Sequence, residues 1–299
     1  WRTEVAALPG NYRAHNNLGL ALVGAGEMRA AVSHFQRALA LEPEFAEAHN
    51  NLGLALARLG LDEDATVHYR RALAQSPGHA SAHNNLGTAL VAAGDSTGAR
   101  WHFHKAIELD ADFASAYNNL GLLLAGAGDA ARAQAYYRRA LEANPDYGQA
   151  HVNLGLLLVD AGRLEEALGH YRRAVVVEPD LVAAHFNLAT ALEAIGRGAE
   201  AAVAYRAAVA LDPALVAAHY RLGLLAAAGG RLDEAIARLR QVLVLDAAQA
   251  QAHFHLGRAL SRMDSLVAGR AHYRQAVALD STLAEVQYNL GTALLRLGR

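Results

Sequence analysis

Histidine is the first residue type in this sequence whose number and spacing suggest chemistry. The chain contains 15 histidines, and imidazole nitrogen is a common ligand of zinc and other transition metals. Twelve of the histidines recur at a spacing of 34 residues, in two columns. One column holds His15, His49, His83, His151, His185, His219 and His253, and the other holds His34, His68, His102, His170 and His272.

The spacing argues against a metal site. Successive members of the first histidine column are a whole repeat apart, which is too far for them to share an ion. His102 and His104 are two positions apart, which points their side chains to different faces of a helix. We therefore predict no metal ligand and no cofactor, and we expect half-buried imidazoles at the seams between helices. Because a buried neutral imidazole resists protonation, stability should depend modestly on pH near about pH 6.

Asparagine forms two further columns, side by side. The Asn17 column contains Asn17, Asn51, Asn85, Asn119, Asn153 and Asn187, then Arg221, His255 and Asn289. The Asn16 column contains Asn16, Asn50, Asn84 and Asn118, then Val152, Phe186, Tyr220, Phe254 and Tyr288. An amide side chain both donates and accepts hydrogen bonds, so these columns could bind the backbone of an extended peptide. The alternative is that each amide bonds to a neighbouring helix and only stiffens the array.

The candidate groove changes character along the chain. Its first half is rich in amides and its second half is aromatic, so we expect the two halves to prefer different ligand segments. Arginines join at the aromatic end, at Arg221, Arg258, Arg262 and Arg296. Arg221, Arg258 and Arg262 could serve an acidic segment there.

No catalytic constellation accompanies these side chains. The sequence has no nucleophile motif, no phosphate-binding glycine loop and no HExxH motif. A catalytic site needs unique residues, whereas most columns of this chain repeat. We therefore predict no catalytic residue and a protein that is not an enzyme. The absence of cysteine excludes disulfides and Cys-ligated zinc, and it leaves the compartment open.

The elements that must position these columns follow from the same 34-residue step. Apolar residues at helical spacing form two stripes in each repeat. In the first repeat the stripes are His15, Leu18, Leu22 and Ala25, then Ala31, Phe35, Ala38 and Leu39. Gly26 and Pro43 stand where the two helices should end. Small residues such as Gly87 and Ala65 allow the helices to cross closely. Each repeat is therefore predicted to be a helical hairpin.

At these residues the chain resembles the tetratricopeptide repeat family, whose signature matches Leu18, Gly19, Ala31, Phe35, Ala38 and Pro43. Histidine stands where that family often has tryptophan. The resemblance implies an all-α, right-handed superhelical solenoid of 34-residue helix-turn-helix repeats. It also implies a concave wall lined by the first helices, which typically binds extended peptides. The asparagine columns are similar to those of the superhelical arm of O-linked N-acetylglucosamine transferases.

The repeat step also predicts the domain organisation. We expect a single array over residues 1–299, with a partial repeat at 1–11 and another at 284–299. The full repeats are expected at 12–45, 46–79, 80–113, 114–147, 148–181, 182–215, 216–249 and 250–283. Aromatic residues recur at 34-residue steps in the second helices, at Phe35, Tyr69 and Phe103, and Trp1 falls in the same column. Both ends therefore fall inside a repeat. Either the chain is part of a longer array, or its open ends stack on another copy, or the ends are covered in another way.

Three functional hypotheses are compatible with this interpretation. The first is a scaffold that binds a protein or peptide partner in the concave groove. The second is an array that assembles head-to-tail into a filament or tube through its open ends. The third is the targeting arm of a glycosyltransferase whose catalytic domain lies outside this chain. The formal net charge of −2 gives no basic footprint for nucleic acid. No apolar run is long enough to predict membrane insertion.

Overall fold

The computed structural model describes Thr3 and residues 8–296. This part of the chain forms 17 α-helices and no strand. The expected position of Trp1 in a second helix lies outside the described residues. The helices are α1 Tyr12–Gly24, α2 Met28–Leu41, α3 Ala46–Arg58, α4 Asp62–Gln75, α5 Ala80–Ala92, α6 Ser96–Leu109, α7 Ala114–Gly126, α8 Ala130–Ala143, α9 Gly148–Asp160, α10 Leu164–Val177, α11 Val182–Ala194, α12 Gly198–Leu211, α13 Val216–Ala228, α14 Leu232–Leu245, α15 Ala250–Arg262, α16 Leu266–Leu279 and α17 Ala284–Arg296.

The chain divides into two compact units, Trp1–Asn153 and Leu154–Arg299, with the boundary inside α9. In each unit a first helix packs on its own second helix, and that second helix packs on the next first helix. Neighbouring first helices also contact one another, as α3 and α5 do in the first unit and α13 and α15 do in the second. Each unit is therefore an all-α repeat solenoid, in which the first helices lie side by side.

Glycine ends the first helix of most repeats. Gly26 has a φ of 78°, which is the left-handed conformation that glycine adopts without steric cost. The same position is held in the left-handed region by Gly60, Gly94, Gly128, Gly162, Gly196 and Gly230. The eighth repeat has Asp264 there, with a φ of 56°. The predicted hairpin turn is confirmed, and one repeat makes it with a residue for which this conformation has a steric cost.

A second glycine column lets the two helices of a hairpin meet. A Cβ atom added to Gly87 would lie 2.6 Å from Cε1 of Phe103, which is closer than any relaxed contact between carbon atoms. Phe103 itself is 1% exposed. The ring therefore occupies the space that the missing side chain leaves. This contact is the steric reason for the pairing of small and aromatic columns in the sequence.

Candidate functional site

The asparagines of the first unit form a ladder of side-chain hydrogen bonds between repeats. In each rung, Nδ2 of a residue of the Asn17 column donates to Oδ1 of a residue of the Asn16 column in the preceding repeat. The donor–acceptor distances are 3.0 Å for Asn51 to Asn16, 3.0 Å for Asn85 to Asn50, 2.9 Å for Asn119 to Asn84 and 2.8 Å for Asn153 to Asn118. The two columns therefore meet each other, at a chain separation of 35 residues.

The two columns differ in how far they reach solvent. The Asn16 column is buried, with exposures of 1% for Asn16, 6% for Asn50, 7% for Asn84 and 1% for Asn118. In the Asn17 column, Asn17, Asn85, Asn119 and Asn187 are half-buried, whereas Asn51 and Asn153 are buried. An incoming molecule would meet the half-buried amides first. From Val152 onward the Asn16 column carries no amide, so the ladder has no acceptor of this kind in the second unit.

A cavity of about 550 Å³ lies beside this ladder in the first unit. It is formed by α5, α6 and α7, and its lining includes Thr88, Val91, Arg100, Asn119 and Leu122. Val91 and Leu122 are 43% and 46% exposed, so the cavity presents apolar surface to solvent beside one amide and one cation. Of the predicted site residues, Asn119 alone is part of this lining. The other members were not singled out from the sequence, although they recur at fixed positions of the repeat.

The second unit carries an aromatic and charged arrangement at the corresponding positions. Phe186 packs edge-on against Tyr205, with ring centroids 5.5 Å apart. The Tyr205 hydroxyl donates to Glu193 Oε2 at 2.9 Å and lies 3.1 Å from the Thr190 hydroxyl. Arg221 lies 3.7 Å from the same carboxylate. Burial raises the pKa of Tyr205 to about 12, so this residue is a neutral donor at physiological pH.

Further along, the aromatic residues surround a histidine. Tyr220 and Phe254 have ring centroids 5.8 Å and 4.9 Å from that of His255. The guanidinium of Arg258 lies over the Phe254 ring, 5.6 Å from its centroid, in the geometry of a cation–π contact. Burial and, to a smaller extent, the charge of Arg258 lower the pKa of His255 to about 4. His255 is therefore a neutral imidazole near pH 7.

The remaining predicted site residues lie on α17. Tyr288 is 76% exposed. Asn289 is half-buried and donates from Nδ2 to the backbone carbonyl of Glu285 at 2.7 Å. These two residues lie in the second unit and belong to neither the amide ladder nor the cavity of the first unit.

The histidines form pairs that the sequence reasoning did not anticipate. Nδ1 of one imidazole in the first column lies close to Nδ1 of the histidine 19 residues later, on the second helix of the same repeat. The Nδ1–Nδ1 distances are 3.0 Å for His15 and His34, 3.0 Å for His49 and His68, 2.9 Å for His83 and His102, and 3.0 Å for His253 and His272. The constant separation between the two columns was the signal that could have revealed these pairs.

The partners of each pair define its tautomers. Nε2 of His49 lies 3.1 Å from the carbonyl oxygen of Pro43, which can only accept, so this nitrogen carries the proton. Nδ1 of a neutral His49 is then the acceptor, and His68 donates to it. The seventh repeat agrees with this assignment, because Nδ1 of His219 lies 3.4 Å from the guanidinium of Arg238, which can only donate.

Both members of the His49–His68 pair resist protonation. Burial lowers the pKa of His49. Burial, then the charge of protonated His49 and of Arg71, lowers the pKa of His68 to about 4, against a smaller opposing effect of Asp64. Half-buried imidazoles were expected where the helices pack together; His68 is half-buried, whereas His49 is buried, at 5% exposure. Among the described residues no group of three or more His, Asp or Glu side chains could hold a metal ion.

Comparison with known proteins places this geometry in a family. Tetratricopeptide repeat profiles match residues 16–80, 67–114, 84–147, 118–184 and 153–216, and a further TPR repeat profile matches residues 227–264. These matches cover well over half of the chain. The chain belongs to the tetratricopeptide repeat family, and its fold is that of a protein-interaction scaffold. No helix in the described residues is long and apolar enough to cross a membrane.

Solved structures show the same fold. The APC/C hetero-tetramer Cut9–Hcn1 aligns with a TM-score of 0.64 at 16% identity, over 89% of this chain. This chain spans about half of that one, at 52% of its length. TTC0263, a thermophilic TPR protein of Thermus thermophilus, aligns with a TM-score of 0.55 at 26% identity, over 61% of this chain and 99% of that one. Pseudomonas aeruginosa pilF aligns with a TM-score of 0.58 at 22% identity, over 68% and 92% of the two chains. No curated protein sequence matches this chain.

Proposed function

We propose that the first unit captures an extended peptide segment of a partner protein at the face formed by its first helices. The observation that carries the proposal is the cavity between α5, α6 and α7, where exposed apolar side chains surround a half-buried amide. An apolar cavity with a few polar groups is the usual form of a ligand site. In this proposal the protein acts by binding alone, and no residue is assigned a catalytic role.

The amide ladder orients the polar group of this site. Asn119 uses its Nδ2 to donate to Asn84 at 2.9 Å, and the bond holds the amide in one orientation. Its Oδ1 accepts no hydrogen bond from the described residues, so it is available to a backbone N–H of an incoming segment. Leu122 and Val91 would then pack against an apolar side chain of that segment. The structural and the peptide-binding interpretations of the asparagines are therefore compatible. Residues of the Asn16 column accept the hydrogen bonds between repeats, and the half-buried residues of the Asn17 column contact the ligand in this proposal.

The experiment starts from a random peptide library displayed on phage and selected on the full chain. Binding of a selected peptide is then measured by fluorescence anisotropy for the chain and for the Leu122→Asp variant. A desolvated carboxylate on an apolar contact should weaken binding by at least about tenfold. Val67→Asp is the matched control, because Val67 is 45% exposed and does not line the cavity. Equal affinity of both variants and the unmodified chain would contradict the proposal.

Head-to-tail assembly is a second candidate, favoured by one observation. On α17 the apolar side chains of Tyr288 and Leu295 are 76% and 79% exposed. A second copy of the chain stacked on this helix would remove that apolar surface from water. Light scattering over a concentration series tests this candidate, and a Leu295→Glu variant should abolish any mass increase. A constant monomer mass at all concentrations would contradict assembly.

A further inference from the structure

Three arginines line one cavity in the second unit. The cavity has a volume of about 200 Å³, and Arg258, Arg262 and Arg296 are part of its lining. They are contributed by α15 and α17, which belong to successive repeats. Each guanidinium is a planar fork of N–H donors that stays charged at all accessible pH values. The cavity is therefore bordered by three permanently charged side chains.

The positive charge of this cavity is only partly compensated. Arg258 lies 3.7 Å from Glu285, and Arg296 lies 3.1 Å from Asp264, both near the surface. Arg262 forms no ion pair with the described residues and instead donates to the backbone carbonyl of Ala227 at 3.0 Å. That bond uses one of its five donors. The rest of the Arg262 guanidinium is available to an anion.

Neutral donors complete the lining. Ser261 lines the same cavity, and its buried Oγ makes no hydrogen bond of good geometry, although the hydroxyl lies close enough to Tyr273 to lower the pKa of that phenol against the larger effect of burial. A buried hydroxyl without a well-aligned partner is costly, and an oxyanion in the cavity would satisfy it. Asn289 and Thr292 also line the cavity. The Thr292 hydroxyl donates to the carbonyl of Tyr288 at 3.0 Å, so it is already engaged.

We propose that this cavity binds a tetrahedral oxyanion, the phosphoryl group of a phosphorylated residue in a partner segment. This inference goes beyond the proposed function, because the cavity lies in the second unit, whereas the proposed peptide site lies in the first. A phosphoryl dianion presents three acceptor oxygens, and arginine forks match such oxygens in a bidentate manner. A single carboxylate has one charge and two oxygens, so it would engage three guanidinium groups less completely. The dianion also competes better with Glu285 and Asp264 for the same cations.

A neighbouring cavity indicates what lies next to the phosphorylated residue. It has a volume of about 320 Å³ and shares Arg258 and Arg262 with the first cavity. Leu224 and Leu225 contribute apolar lining to it. An apolar side chain close to the phosphoryl group would pack there. The segment is thus defined by a phosphorylated residue beside an apolar one.

The test uses the full chain and a degenerate peptide library with a central phosphoserine beside a leucine. Serine and glutamate versions of the library are the matched probes, and inorganic phosphate is the probe for the bare oxyanion. Binding is measured by fluorescence anisotropy, and phosphate is measured by competition. We expect the phosphoserine library to bind at least about tenfold more tightly than the serine library. Arg262→Gln and Arg296→Gln should each remove most of that difference, whereas Glu285→Gln should increase it.

Controls separate this site from a general charge effect. Arg274→Gln removes an exposed cation of the same unit that does not line the cavity, so it should leave the phosphoserine preference unchanged. Arg262→Lys keeps the charge but loses the fork, and it should retain only part of the preference. Thermal melting of each variant verifies that the repeats remain folded.

The outcomes distinguish this inference from the proposed function. If the serine and phosphoserine libraries bind equally and Arg262→Gln changes neither, the oxyanion site is wrong while peptide capture stands. If inorganic phosphate binds and no library does, the cavity accepts a free oxyanion, and its role in recognising a segment is overturned. If the Arg274→Gln control loses the preference as Arg262→Gln does, the effect is general electrostatics and the site is wrong.

Discussion

The side chain of Asn85 donates from Nδ2 to Oδ1 of Asn50 at 3.0 Å, although the two residues are 35 positions apart. Asn50 is 6% exposed, so this bond joins two successive first helices below the surface. A buried amide that loses its partner bears the cost of its own desolvation. The ladder therefore contributes to the coupling between repeats, in addition to any contact that its outer amides make with a ligand.

The ladder predicts a specific pattern of destabilisation. Asn50→Ala removes the acceptor of Asn85 and should lower the free energy of unfolding by about 1–3 kcal/mol. The double variant Asn50→Ala with Asn85→Ala should cost less than the sum of the two single variants, because the pair interacts. Urea unfolding followed by circular dichroism measures all three. Asn187→Ala is the control, since Asn187 is half-buried and lies beyond the ladder; a change as large as that of Asn50→Ala would argue against the ladder.

Glycine at the hairpin crossing gives a second prediction. Gly87→Ala places a Cβ atom 2.6 Å from the Phe103 ring, so the ring must move inside a packed core. The expected loss of stability is about 1–3 kcal/mol. Gly291→Ala is the matched control, because no atom lies within 4 Å of the Cβ that it would add. That substitution in α17 should instead stabilise by about 0.5–1 kcal/mol through helix propensity. Equal thermal shifts of the two variants would contradict the steric argument.

The histidine pairs predict a loss of stability in mild acid. The pKa of His68 and of His102 is lowered from an ordinary value of 6.5 to about 4, chiefly by burial and then by the charge of the paired histidine. The unfolded chain therefore binds more protons than the folded one between these values. Stability should be full above about pH 6.5 and should fall as pH decreases toward 4. Solvent access reduces the effect to roughly 1–2 kcal/mol for each of the pairs that contain His68 and His102.

A natural substitution within the chain supplies the control for this prediction. The fourth repeat has Tyr117 and Tyr136 in place of the two histidines, with ring centroids 6.4 Å apart. A double variant, His49→Tyr with His68→Tyr, should therefore fold and should show a smaller dependence of the melting temperature on pH. Melting curves from pH 4 to pH 8 compare it with the unmodified chain. An unchanged slope would show that the pair is not the source of the acid sensitivity.

The turn of the eighth repeat gives a fourth prediction. Asp264 has a φ of 56° where seven other repeats have glycine. Asp264→Gly should stabilise the protein by about 1 kcal/mol, because glycine adopts this conformation without strain. Gly230→Asp should destabilise by a similar amount in the equivalent turn. Chemical denaturation measures the free energy of unfolding of both variants, which should change in opposite directions. If Asp264→Gly destabilises instead, the ion pair of Asp264 with Arg296 outweighs the strain.

Much of the local structure could be predicted from residue types and their spacing. The 34-residue step can be read directly from the sequence. Helix periodicity and sterics then predict the left-handed glycine at Gly26 and the packing of Phe35 against a small residue. The seam position of His15 also followed, since it shares a stripe with Leu18. These features depend on interactions within one hairpin, where the chain itself fixes the distance between partners.

The contacts that define the candidate sites depend on distances between separate helices. The sequence by itself determined that amides, imidazoles and arginines recur on known faces of known helices. Only the tertiary structure decided that Asn85 meets Asn50 and that Arg262 shares a cavity with Arg296, since these partners lie in successive repeats. The reason is physical: periodicity sets the direction of a side chain around its own helix. The offset between packed helices, which decides which neighbour it reaches, arises from the packing of many side chains together.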